Sequence, residues 1–244
     1  MTFCLGMRTH EGLVGIADTL ITSGTVLTKG KKLTCIQHGQ GSLFLLTSGL
    51  RSVRDKTVTY FEEHLSELDQ PYNRMFKVVN AISQKIRQVA KEDKAYLKES
   101  GLQFNFHCLV GGQMPGDEEH SLYLVYPEGN WVEIVEETPY QIIGVPGYGK
   151  PVLDRTFSNR DSLEFAVKVG CLAFDSTRIS AADVDFPVDL VMYRRDSFRM
   201  IEHRYEQEDL IDISTWWDDA LRKAIKNLPS EWMDRVLARL NFDS

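Results

Sequence analysis

A chain of 244 residues with 43% hydrophobic and 26% charged residues is built to bury one sizeable core, which excludes a disordered or fibrous protein. Its formal charge of -7 leaves only short basic clusters, at Lys29 to Lys32 and Arg194-Arg195. That excludes a general nucleic-acid surface, because phosphate binding relies on clustered Lys and Arg.

The chain opens with an apolar run, Phe3 to Met7, that predicts a strand, and Gly12 to Asp18 predicts a second, pairing through the turn Thr9-His10-Glu11. A third short strand is expected from Lys32 to Ile36, and a fourth over Ser42 to Leu46, ending in Thr47-Ser48-Gly49. Apolar residues at helical spacing place helices over Ser52 to Leu68 (Val58, Phe61, Leu65, Leu68) and Met75 to about Lys98 (Met75, Val79, Ile82, Ile86, Val89), with Gly101 as a stop signal. Strands return at Phe104 to Val110, Ser121 to Tyr126, Trp131 to Val135 and Tyr140 to Ile143. Helices follow at Lys150 to Phe157 and Ser162 to Thr177, and a hairpin about Arg195-Asp196-Ser197 joins strands Val188 to Arg194 and Phe198 to Tyr205.

Strands, two helices, strands, two helices, strands is an α+β order, compatible with several arrangements of packed layers. No repeat or linker interrupts it, so residues 1-244 are expected to form one domain, with 209-244 as a helical extension. In that extension Trp216, Trp217, Ala220, Leu221, Ala224, Ile225 and Leu228 form an apolar stripe, and Trp232, Val236, Leu237 and Leu240 follow Pro229. The stripe either packs on its own subunit or anchors a neighbouring one, since large aromatics are favoured hot-spot residues.

Cys4, Cys35, Cys108 and Cys171 have no CxxC spacing and the six histidines no ligand spacing, so reduced thiols and no metal or cofactor are expected. Gly144, Gly147 and Gly149 stand in the wrong order for a dinucleotide fingerprint, and no ATP-binding P-loop is present. Read from Met1, the sequence shows no secretory leader and no run long enough to span a bilayer, which predicts a cytoplasmic protein without a membrane partner.

The chemistry concentrates at the start. If Met1 is removed, Thr2 carries both a hydroxyl nucleophile and an α-amine that can act as its base. An α-amine with a pKa of about 7.7–8.0 accepts a proton near neutrality, whereas a lysine near 10.4 stays charged. The strand ends would bring Asp18 and Lys32 beside that threonine. An aspartate closing a strand more often makes a turn, and a Lys-Lys pair is more often solvated.

Several ordered motifs together resemble the proteasome-type β subunits, which are N-terminal-nucleophile hydrolases: Thr2-Phe3-Cys4-Leu5-Gly6, Gly12 to Thr19, Thr22-Ser23-Gly24, Lys31-Lys32-Leu33 and Thr47-Ser48-Gly49. Gly149 to Arg155, Asp175-Ser176-Thr177 and Pro187-Val188-Asp189-Leu190, with the extended C-terminus, are most similar to the bacterial Anbu (ancestral β-subunit) branch. The resemblance spans essentially the full chain. It implies a four-layer αββα sandwich and a catalytic set of Thr2, Asp18, Lys32 and Gly49, the glycine N–H serving as oxyanion donor. It further implies that Ile21, Thr22, Gly30, Thr47 and Arg51 bind substrate, that copies assemble into a closed or open helical ring, and that the substrate is a peptide or protein.

The sequence departs from the family pattern in two places. Gly144-Val145-Pro146-Gly147 lacks the serine most relatives carry there, and the supporting Asp and Ser of the later helix-loop region are not matched in Arg178 to Ala182. Asp175, Ser176 and Ser180 are the candidate substitutes. Two other readings follow: an amidohydrolase acting on a small amide through the same threonine, or a scaffold subunit with a decayed site. Whether an unfoldase partner exists is not legible.

Overall fold

In the computed structural model, residues 2–23 and 26–240 are described. The elements in order are β1 (Phe3–Thr9), β2 (Gly12–Asp18), β3 (Leu20–Ser23), β4 (Val26–Lys29), β5 (Leu33–His38), β6 (Gly41–Gly49), α1 (Arg51–Ser66) and α2 (Met75–Glu99). They continue with β7 (Phe106–Gln113), β8 (Ser121–Val125), β9 (Trp131–Glu133), β10 (Tyr140–Gly144), α3 (Lys150–Thr156) and α4 (Leu163–Ser180). β11 (Val188–Arg194), β12 (Met200–Tyr205), α5 (Gln207–Lys226), a 3-10 turn (Glu231–Met233) and α6 (Asp234–Leu240) complete the order.

Among the described residues this is a mixed fold of six α-helices and three antiparallel sheets, with strand orders β10-β1-β2-β11-β12, β3-β4 and β5-β6-β7-β8-β9. The hairpin β3-β4 is absent from the sequence-based expectation, because its strands have only four residues each and β4 is exposed throughout, which leaves no buried alternation to read. The helix ends fall within two or three residues of those expected. Gly101, at φ 75°, ends α2 as the stop signal requires, its N–H returning to the Lys98 carbonyl at 3.0 Å.

The central strands are buried on both faces, and their period of two sorts the residues into two cores. Leu43 and Leu45 of β6, Cys108 and Val110 of β7, and Tyr123 and Val125 of β8 pack with Val53, Phe61 and Leu65 of α1 and Val79, Ile82, Ile86 and Val89 of α2. The alternate residues Phe44, Leu46, Leu109, Leu122 and Leu124 instead pack with Cys4, Leu13, Ala17, Val191 and Tyr193 of the β1-β2-β11 sheet. On the far side of that sheet α4 covers β1, where the Phe3 and Phe174 rings lie 6.1 Å apart. The four cysteines are free.

The chain divides into two compact units, one up to Glu208 and one from Asp209. Within the second, Trp216, Ile225, Leu228, Trp232 and Val236 are all exposed, and the rings of Trp216 and Trp217 stack at 6.4 Å. No helix among the described residues is long and apolar enough to cross a membrane.

Candidate active site

Asp18 is the hub. It ends β2 fully buried, and its Oδ1 accepts the Phe3 N–H at 2.8 Å and the Lys32 ammonium at 2.7 Å, while Oδ2 accepts the Leu20 N–H at 3.1 Å. Burial pushes the carboxyl above its ordinary value, and the Lys32 charge and the donors from Lys32, Phe3 and Leu20 oppose that push. Three donors on two oxygens match a carboxylate, not a carboxylic acid. Lys32, just before β5 and 3% exposed, spends a second N–H on the Leu20 carbonyl at 2.7 Å. Its third N–H has no partner among the described residues.

Thr2 precedes β1, one peptide unit from the Phe3 N–H that Asp18 holds. Its carbonyl accepts the Val145 N–H at 2.8 Å, and Gly144, at φ 100°, packs so closely that a Cβ there would fall 1.8 Å from the Thr2 carbonyl oxygen. Only glycine fits at this point of β10. Met1, whose removal would free the Thr2 amine, lies outside the described residues, as does Gly24 of the Thr22-Ser23-Gly24 motif.

Gly49 closes β6 at φ 124°, where a Cβ would meet the Asn105 carbonyl oxygen at 2.1 Å. Bond directions alternate along an antiparallel strand. Leu50 donates to Asn105 on one side, and Thr47 donates to the Lys32 carbonyl on the other at 3.0 Å. The Gly49 N–H therefore turns to the Lys32 side, three residues past Leu46, the last residue of β6 paired with β5.

The same alternation decides what β3 offers. Thr19 accepts from Gly30 across the hairpin, so the N–H and C=O of Leu20 and Thr22 face its other edge. Leu20 uses that edge for Asp18 and Lys32; among the described residues the backbone groups of Thr22 have no partner there, which leaves them to an extended peptide. The Thr22 hydroxyl donates to Asp183 at 3.1 Å.

A cavity of about 720 Å³ opens beside these groups, lined by Thr2, Ile21, Thr22, Lys32, Thr47, Gly49, Arg51 and Gly144 among others. Gly30 stands behind the wall: a Cβ there would meet Ile21 Cδ1 at 2.3 Å. The candidates Asp175, Ser176 and Ser180 do not line the cavity, and Asp175 binds Arg178 at 2.8 Å. Sequence reasoning missed Arg54 and Asp183. Arg54 stands one helical turn after Arg51, a spacing that puts both on one face, and Asp183 follows one residue after the loop stretch considered. Cys4, beside the site, is no rival nucleophile, since burial pushes its thiol far upward. Among the described residues no group of three His, Cys, Asp or Glu stands where it would hold a metal ion.

No protein-family model and no curated protein matches the chain. Solved structures do. Anbu from Hyphomicrobium sp. strain MC1 is 32% identical, with a TM-score of 0.84 over 93% of this chain and 98% of that one. Anbu from Yersinia bercovieri, described as an ancestral β-subunit, is 27% identical at a TM-score of 0.86 over 93% and 97%. The helical assembly of the Anbu complex from Pseudomonas aeruginosa is 26% identical at a TM-score of 0.87 over the same shares. With a relative at 32% identity matched over nearly its whole length, in the fold that places Thr2, Lys32 and Gly49 about one cavity with Asp18 bonded to Lys32 beneath it, the chain belongs to the Anbu (ancestral β-subunit) family of proteasome-type proteins.

Proposed function

We propose that this protein is a threonine-type N-terminal-nucleophile hydrolase that cleaves peptide bonds after Met1 is removed. The observation that carries the reading is the Asp18 hub, which binds the Phe3 N–H and the Lys32 ammonium at the foot of the cavity that Thr2 lines. The Thr2 α-amine takes the proton from its own hydroxyl as Oγ attacks the substrate carbonyl. The Lys32 charge lowers the cost of the alkoxide, and the Gly49 N–H receives the oxyanion. Collapse of the tetrahedral intermediate expels the amine with the proton returned from the Thr2 amine, leaving an ester on Thr2. Water then hydrolyses that ester by the same route in reverse. Thr22 aligns the substrate as an added strand.

We read the layers as a proteasome-type αββα sandwich, α1-α2 outside one sheet and α3-α4 outside the other, with residues 209-244 as an extension of that single domain. Copies self-associate in a ring or open helical ring, as the helical Anbu assembly from Pseudomonas aeruginosa suggests, and we place the assembly in the cytoplasm. The exposed tryptophans of the extension suit contacts between copies.

Intact-mass spectrometry of the assembled protein, followed by a peptide-library assay with Thr2→Ala as control, tests this. Loss of Met1 and turnover that vanishes in Thr2→Ala are the expected results. A retained Met1 in active protein, or cleavage that survives Thr2→Ala, overturns the mechanism.

A further inference from the structure

The geometry points to a carboxylate-accepting subsite in the wall of this cavity, formed by Arg51 and Arg54 at the start of α1, which selects peptides with an acidic side chain at the residue whose carbonyl is attacked. The inference rests on the hydrolase reading above and names its substrate class.

Among the described residues, the charged ones lining the cavity are Lys32, Arg51 and Arg54, with no Asp or Glu. Lys32 is already offset by Asp18. The two guanidiniums share one carboxylate outside the lining, Asp55. Its Oδ1 takes Nε and Nη2 of Arg54 at 2.9 and 2.8 Å, and its Oδ2 takes Arg51 Nε at 3.3 Å. Two cations on one anion leave one positive charge in the wall, next to a helix start with no acidic residue in its first turn.

Arg54 is the unusual member. Its side chain is nine-tenths buried, while Asp55 is half exposed. Asp55 engages only Nε and Nη2, and among the described residues Nη1 makes no hydrogen bond. Nη2 lies 4.0 Å from where a Gly30 Cβ would sit, against Ile21, which lines the cavity, so the guanidinium reaches that part of the wall and not only the protein surface. A buried guanidinium with spare donors is matched by a second carboxylate, which accepts in the fork geometry that an amide or alkyl group cannot supply.

The test uses the full-length assembled protein and peptide vinyl sulfones that differ only in the side chain next to the warhead: Glu, Gln, Leu or Lys. Thr2 Oγ adds across the vinyl group, and intact mass reads the labelling rate. The Glu probe is expected to label at least about tenfold faster than its Gln isostere, with Lys slowest. In Arg54→Gln that ratio should fall below about threefold, and in Arg51→Gln it should fall in the same direction; Arg51 is 58% exposed, so the second variant keeps the test alive if the first misfolds. Equal Glu and Gln rates, or a Lys preference, overturn the proposal. If no probe labels Thr2, the threonine chemistry itself fails. Fluorescence anisotropy of Glu- and Gln-ended peptides on Thr2→Ala protein then decides the subsite alone: a preference for Glu of about fivefold or more supports it, and equal binding overturns it.

Discussion

Lys32→Met removes the cation from Asp18 while keeping a similar volume. At 2.7 Å and an effective dielectric near 20, the pair's attraction is about 6 kcal/mol before the ammonium's own desolvation is subtracted. What remains after substitution is a fully buried carboxylate holding only two backbone N–H groups, and breaking such a pair typically costs about 3–5 kcal/mol. If Lys32 served the chemistry alone, its loss would abolish turnover with the fold intact; its burial beside Asp18 adds this stability cost. It should also depend on pH. Asp18 is already raised above its unfolded value by burial, and losing Lys32 raises it further. A carboxyl raised on folding contributes stability that is full below its unfolded value, near pH 4, and is lost as pH rises through the folded value. The penalty should therefore be largest near pH 8 and less than about half as large near pH 4.5, read by urea unfolding at one protomer concentration. Asp18→Asn in the same chain should recover part of it, because the orphaned charge is gone. A loss under about 1 kcal/mol, unchanged with pH, would refute the picture of a compensated anion at the hub.

Gly49→Ala forces a Cβ against the Asn105 carbonyl, so the end of β6 must shift; a peptide assay should show turnover falling by about 100-fold or more as the oxyanion donor moves. Arg204→Met strips the bidentate partner from Asp189, which is 1% exposed between β2 and β12, and should cost about 3 kcal/mol by denaturant unfolding. His120 donates Nε2–H to the Thr9 carbonyl at 2.8 Å, and its buried Nδ1 has no hydrogen-bond partner among the described residues. Burial, with Arg8 nearby, holds its pKa down, so the stability it contributes is present above about pH 6.5 and is lost as pH falls through the folded value. Melting temperatures of His120→Gln should accordingly decline less between about pH 7 and pH 5 than those of the parent.

How much of this was legible follows from periodicity. Met75, Val79, Ile82, Ile86 and Val89 mark α2 because one buried face repeats every three or four residues, and all five are fully buried. Asp18 and Lys32 were legible as strand-end residues that converge, but the β3-β4 hairpin within the 14 residues between them was not, because no apolar pattern announces it. Arg54 escaped for a different reason. Arginine on a helix usually reads as solvated face, and only the turn of α1 against the Ile21 and Gly30 wall buries it.

The hub also constrains how the chemistry can be dissected. Asp18 ties β1 through Phe3, β3 through Leu20 and the entry to β5 through Lys32, so the groups that would polarise the nucleophile are the groups that hold three strand ends together. A variant at either charge therefore confounds lost activity with lost structure. Thr2 is different: its carbonyl is anchored by Val145, but its hydroxyl makes no hydrogen bond among the described residues. Removing that hydroxyl leaves every strut of the hub in place, so Thr2→Ala separates chemistry from folding where Lys32 and Asp18 variants cannot.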